Sequence, residues 1–158
     1  MKAAFLKAPF QVRFDNIPIP EAGPGEVLLA IKRVGLCGTD VHSAKAWATD
    51  WQRFGHEQVG VVAKVGPGVS DLDEGDMVVV QASSPCGVCA GCMDGRPTEC
   101  LDWKKSRSLE GLAEFIVVSR RSVWKVEGLG PDEAVLIEPM AVSLDCVRLA
   151  EIDLHHTA

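Results

Sequence analysis

Cysteine is concentrated in one short stretch of this chain. Cys86, Cys89, Cys92 and Cys100 fall in a C-x2-C-x2-C-x7-C run, whereas Cys37 and Cys146 stand apart. The residues around the run are rich in Gly, Asp and Arg and poor in the large apolar side chains a core needs. Four thiolates at about 2.3 Å from one zinc make a closed tetrahedral shell with no position left for a substrate, and such a site is structural. An iron–sulfur cluster and a thiol redox pair are the rival uses. The bacterial iron–sulfur run spaces its last pair more closely and ends in Cys-Pro, which this one does not. Four unrelated loop cysteines are a poor account, because so apolar-poor a lobe does not offset its ordering entropy without a staple. In a reducing compartment clustered thiols read as metal ligands before they read as disulfides.

A second set of residues is scattered. Gly35-Leu36-Cys37-Gly38-Thr39-Asp40-Val41-His42 follows an apolar run and reads as a strand-to-helix turn, with Thr39 or Asp40 suited to cap the helix. Cys37 alone is either a small buried residue or a ligand. His56, in Gly55-His56-Glu57, is equally ambiguous. Glu138 lies in the apolar run Val135–Met140, where an unpaired carboxylate is costly to bury, so it needs an Arg, a Lys or a metal as partner. Thiol, imidazole and carboxyl together make a three-ligand zinc shell whose fourth position stays open, the arrangement that separates catalytic from structural zinc.

The elements that position these groups are short strands. Apolar or alternating runs occur at Lys2–Leu6, Glu26–Val34, Gln58–Val65, Met77–Gln81 and Glu114–Val118. They are punctuated by PIPEAGPG (Pro18–Gly25), GPG (Gly66–Gly68) and DLDEGD (Asp71–Asp76). This predicts an antiparallel barrel or sandwich. After Gly130 the texture changes: Pro131, then acids, then about four turns of almost wholly apolar residues predict a buried helix, with Pro139 kinking or dividing it. No repeat or linker interrupts the chain.

With 158 residues, 47% hydrophobic, 24% charged and a formal net charge of −6, the composition is that of one globular domain. Scattered Lys and Arg on an acidic background argue against nucleic-acid binding. No apolar run reaches the roughly 18–20 residues of a membrane span, and MKAAFLKAPF lacks a secretory apolar stretch. A cytoplasmic protein acting on small molecules is the expectation.

GLCGTDVH, GHE followed by VGVVAKVGPGV, the GDMVVV strand, the CGVCAGC lobe ending at Cys100, and LIEPMAVSLDC together resemble the zinc-dependent medium-chain alcohol dehydrogenases. The likeness runs from Met1 to about Ala150, with the motifs in the family's order. Glu rather than Cys at the third ligand position is similar to the sorbitol (polyol) and threonine dehydrogenase branch. The resemblance implies a GroES-like antiparallel β-barrel catalytic domain, mainly β with some α, over residues 1–150, carrying a structural zinc lobe at 82–107. It implies Cys37, His56 and Glu138 as catalytic zinc ligands, and Glu57 as a neighbour able to become one. Asp40 would orient the ligand His, Thr39 would take the alcohol proton, and His42 would pass it to solvent. Cys86, Cys89, Cys92 and Cys100 would hold the structural zinc. The implied reaction is zinc-assisted oxidation of an alcohol or polyol with hydride transfer to NAD or NADP. In Ala46–Phe54, Trp47, Trp51 and Phe54 either line the substrate cleft or pack on the barrel.

The family's doubly wound cofactor domain, opened by a Gly-rich turn, has no counterpart in the sequence. The nearest match, Gly128-Leu129-Gly130 with Glu133 in place of the third glycine, reads as a loop before a helix. Residues 151–158 read as the truncated start of that domain, with His155 and His156 marking a cut point rather than a metal site. The expectation is the N-terminal catalytic domain of a dehydrogenase, inactive alone, with an apolar helix short of cover and prone to self-association, and with a homo-oligomeric parent. The competing reading is a non-catalytic zinc-stabilised barrel that binds a ligand or partner.

Overall fold

Alternation of buried and exposed side chains sets the strands. The computed structural model describes residues 1–83, 85–96, 99–102 and 110–151. β1 (Lys2–Lys7) and β2 (Gln11–Asn16) form an antiparallel hairpin. β3 (Glu26–Gly35), β4 (Glu57–Val65), β5 (Met77–Val80), β6 (Phe115–Ser119) and β7 (Val123–Lys125) form a second sheet in the order β6-β3-β4-β5-β7. Every strand pairing among the described residues is antiparallel. The hairpin is stitched to the rest by an isolated bridge between Ala3 and Ala113 and by the Ala4 N–H, which donates to the Leu112 carbonyl at 2.8 Å. The barrel expectation holds.

Two apolar cores lie on opposite faces of this sheet. Val27, Leu29, Val62, Val78, Val80, Ile116, Val118 and Val123 fill the larger one, sealed by Leu72. Val59 and Val79 point the other way and meet Ala134. β5 is therefore covered on both sides, which is why Met77–Val80 is a continuous apolar run rather than an alternating one. Each such side chain contributes about 1.5–3 kcal/mol by leaving water.

Two strands were not expected. β2 is exposed on both faces, with Val12 and Phe14 turned to solvent, so its alternation reports no core. β7 is three residues long, too short to show a period.

The predicted helix differs in two respects. It forms as α3 (Pro131–Ala134) and, after a break at 135–136, α4 (Ile137–Leu149). The division falls ahead of Pro139, which sits in the first turn of α4, where its missing N–H leaves no helix bond unmade. The expectation of burial is corrected: no residue of α4 is buried, and Met140, Leu144 and Leu149 are all well exposed. Within α4, Ile137 alone packs against the smaller core, joined by Val135 from the break before it. Beyond that first turn a groove of about 490 Å³, lined by Val80, Trp124, Glu138, Ala141, Val142 and Cys146, separates the helix from the sheet. Its apolar residues extend around the cylinder, and among the described residues nothing lies over its outer face.

The lobe expected at 82–107 is described in part and contains α2 (Ala90–Met93). Residues 152–158, with His155 and His156, lie outside the described residues.

Candidate metal centres

The first centre is built where β3 ends and β4 begins. Leaving β3 at Gly35, the chain turns at Cys37 into α1 (Gly38–His42) and a π-type turn, Ser43–Trp47. Cys37, with extended backbone, is the N-cap residue of α1; Thr39 does not cap it, and Asp40 takes part in the cap from within the helix. Asp40, at the third helical position, folds its carboxylate back. Its Oδ2 accepts from the Cys37 N–H at 3.1 Å and its Oδ1 from the Gly55 N–H at 3.4 Å. The same Oδ1 lies 3.9 Å from His56 Nδ1, an electrostatic contact rather than a hydrogen bond. One buried carboxylate thus ties the turn carrying Cys37 to the turn carrying His56.

Glu57 opens β4 opposite Gly35 of β3. A Cβ on Gly35 would overlap Glu57 Oε2, so the missing side chain is what lets the carboxyl fold over the strand. The ligand atoms of Cys37, His56 and Glu57 all lie within 4.8 Å of one another. Glu138 is not in that group. It is half-buried in the first turn of α4, and its carboxyl is raised above the ordinary range by burial, with His56 pulling it down and Glu57 pushing it further up. It therefore stands in the field of both. Among the described residues no Arg or Lys pairs with it.

Thr39 and His42 are exposed on α1. The imidazole of His42 stacks on Trp47, with ring centroids 5.2 Å apart and planes 21° from parallel. Trp51 is covered by the Arg13 guanidinium of β2, 4.3 Å from its ring centroid. The segment between Cys37 and His56 is laced to β1 and the turn after it: Leu6 and Gln52 exchange two backbone bonds at 2.9 and 3.0 Å, and the Ala8 and Phe10 N–H groups donate to Ala48 and Ala44 at 2.8 and 2.7 Å.

The second centre is the cysteine lobe. Sγ atoms of Cys86, Cys89, Cys92 and Cys100 lie within 4.8 Å of one another, and none is in a disulfide. Cys86 and Cys92 sulfurs are 4.0 Å apart, near the roughly 3.8 Å edge of a tetrahedron with 2.3 Å zinc–sulfur bonds and far beyond a covalent S–S bond. Backbone amides face the sulfurs: Cys86 N–H donates to Cys100 at 3.1 Å, and Cys89 N–H to Cys86 at 3.3 Å. The Cys89 thiol is brought down to about 6, chiefly by the Cys92 backbone N–H and then by that of Leu101. The Cys86 backbone N–H lowers Cys100, while burial pushes Cys92 up to about 12. Cys146 stands apart, exposed on α4. The donor set fits a thiophilic ion held for structure.

Sequence reasoning missed the Asp40 link to Gly55, for which the sequence carries no local signal, and ranked Glu57 behind Glu138, although Gly35 opposite a strand-opening Glu was a legible hint.

The antiparallel barrel thus carries a thiol–imidazole–carboxylate cluster between two of its strands and a four-thiol lobe beside them, each a group that could hold a metal ion. Residues 23–128 match the alcohol dehydrogenase GroES-like domain, and the chain belongs to that family. It is 35% identical over 155 residues to the L-threonine 3-dehydrogenase of Pyrococcus furiosus, covering 92% of this chain and 44% of the relative. It also resembles the crystal structure of galactitol-1-phosphate dehydrogenase from Escherichia coli, with a TM-score of 0.86 and 33% identity over 96% of this chain and 45% of the other. A third likeness is to a structure described as a short chain alcohol dehydrogenase of E. coli CFT073 in complex with NADH, with a TM-score of 0.81 and 29% identity over 96% and 46% of the two chains. The chain spans about half the length of the relatives it matches. No helix of the described residues is long and apolar enough to cross a membrane.

Proposed function

We propose that the chain, over residues 1–150, is the catalytic domain of a cytoplasmic zinc-dependent NAD(P) alcohol or polyol dehydrogenase that works as a homo-oligomer. The observation that carries this reading is the convergence of Cys37, His56 and Glu57, with Glu138 in the same field and no Arg or Lys among the described residues beside it. Cys37, His56 and Glu138 would hold the catalytic zinc, Glu57 would replace Glu138 on exchange, and Cys86, Cys89, Cys92 and Cys100 would hold the structural one. When bound, the catalytic zinc supplies Lewis-acid polarisation of an alcohol oxygen, and a nicotinamide supplies the hydride acceptor.

The chain's own residues do the rest. Asp40 fixes the mutual position of Cys37 and His56 through the Cys37 and Gly55 amides and lies beside the His56 ring. The hydroxyl of Thr39, which donates and accepts at once, takes the substrate proton, and the imidazole of His42, on the exposed face of α1 and braced by Trp47, hands it to solvent. One thiolate and one carboxylate balance a divalent ion, so an anionic substrate oxygen meets no excess negative charge. Relatives that act on threonine and on galactitol 1-phosphate point to a small polyhydroxylated or amino-alcohol substrate. Residues 1–150 by themselves are proposed to be inactive.

Metal analysis tests this. Two zincs per chain are expected, and His56→Ala or Glu138→Ala should each remove one and spare the other. A single zinc held in the lobe would overturn the catalytic reading and leave a zinc-stabilised binding barrel. Loss of metal from Glu57→Ala with full retention by Glu138→Ala would reassign the third ligand.

A further inference from the structure

A cation that neither centre uses stands against the cysteine lobe. Gly87, between Cys86 and Cys89, has φ of +70°, in the left-handed region that favours glycine. The volume a Cβ would occupy there is already filled by the guanidinium of Arg121, with Nη1 and Cζ the nearest atoms. Arg121 is far away in sequence, in the middle of a 3₁₀ turn, Arg120–Ser122, between β6 and β7. That turn is pinned from behind. The Arg121 N–H donates to Ser119 Oγ at 3.3 Å, Ser122 is fully buried, and its carbonyl accepts from the Gln81 N–H at 2.7 Å. Gln81 follows β5, the strand whose continuation leads into Cys86.

The neighbouring cations are engaged elsewhere, Arg120 with Asp71 at 2.7 Å and Lys125 with Asp76 at 2.8 Å. No described carboxylate pairs with Arg121. Its side chain is held over the backbone between two thiols, although it is exposed and free to extend into water.

We propose that Arg121 is a positioning residue of the lobe, clamping the Cys86–Cys89 knuckle and offsetting the charge of four thiolates gathered on one ion. This rests on the reading that the lobe holds a divalent metal. Four thiolates on a divalent ion carry a formal charge of −2, and a guanidinium placed beside them offsets that charge and slows release of the ion. Because the group is exposed, salt should screen its effect.

The test uses the full chain loaded with Co²⁺, whose tetrathiolate charge-transfer absorption reports the lobe and not the Cys37 site. Wild type, Arg121→Gln and Arg121→Lys are compared, with circular dichroism to verify the fold. On adding excess EDTA at low salt, Arg121→Gln should bleach about tenfold faster than wild type, within the range expected for loss of an outer partner. Arg121→Lys should fall between them, and the gap should shrink at high salt. Equal bleaching rates for all three at low salt, with the absorption present, would overturn the role of Arg121 alone. A gap that salt leaves unchanged would overturn the charge offset. Absence of tetrathiolate absorption in the wild type would instead sink the reading of the lobe as a metal site, and this inference with it.

Discussion

Asp40 shows how much geometry one side chain can hold. It accepts from the amides of Cys37 and Gly55 and lies beside His56. Asp40→Ala leaves two donors without partners, each costing about 1–3 kcal/mol where water is excluded. Zinc affinity at the first centre should fall about 10–100-fold, as for other groups that orient ligands, while the lobe keeps its metal. Asp40→Asn, which retains one acceptor, should lose less; thermal melts and zinc titrations of the two variants check both statements. Glu138 behaves oppositely. Burial raises its carboxyl, so in the metal-free protein its ionisation opposes folding as pH rises above the unfolded value of about 4.3. Glu138→Gln should therefore melt higher than wild type at pH 7 without metal, yet take up less zinc. The residue types at this centre were legible in the sequence. The Asp40 bond to Gly55 was not, because it exists only once β3 and β4 are paired.

Among the elements, the strands of the main sheet were readable from their apolar runs, since β3, β4, β5 and β6 each bury at least one face. β2 escaped notice for the opposite reason: both of its faces meet water, and its Val12 and Phe14 pattern serves the hairpin alone. α4 was legible as a helix and misjudged as a buried one, because apolar composition reports what a surface would gain from cover and not whether the described chain supplies it. Met140, Leu144 and Val147, spaced four and three apart, form an exposed apolar stripe. Replacing Leu144 and Val147 together by Lys should leave the melting transition nearly unmoved, within about 0.5 kcal/mol per site. Concentration-dependent association, followed by light scattering, should fall; unchanged association would mean that the stripe is not the contact.

For the molecule as a whole, stability should depend on acid through two ion pairs that brace the 3₁₀ turn and β7. Asp71 is held below the usual carboxylate range by the Arg120 hydrogen bond, and Asp76 by the Asp73 backbone N–H and then by Lys125. A carboxyl lowered in the folded state adds stability that is present above its unfolded value of about 3.9 and is lost as pH falls through the lower folded value. Melting temperatures should thus be steady near neutrality and drop below about pH 4. Asp71→Asn should flatten that acid limb, and a variant with a limb as steep as wild type would deny Asp71 its share. The stretch joining Cys37 to His56 has a different kind of dependence. Its main chain is laced to the N-terminal strand and turn, whereas both would-be ligands are fixed from the sheet and from Asp40. Scaffold and decoration are thereby uncoupled: the exposed side chains at 46–54 can be traded, by evolution or by an engineer, while Cys37 and His56 stay where they are.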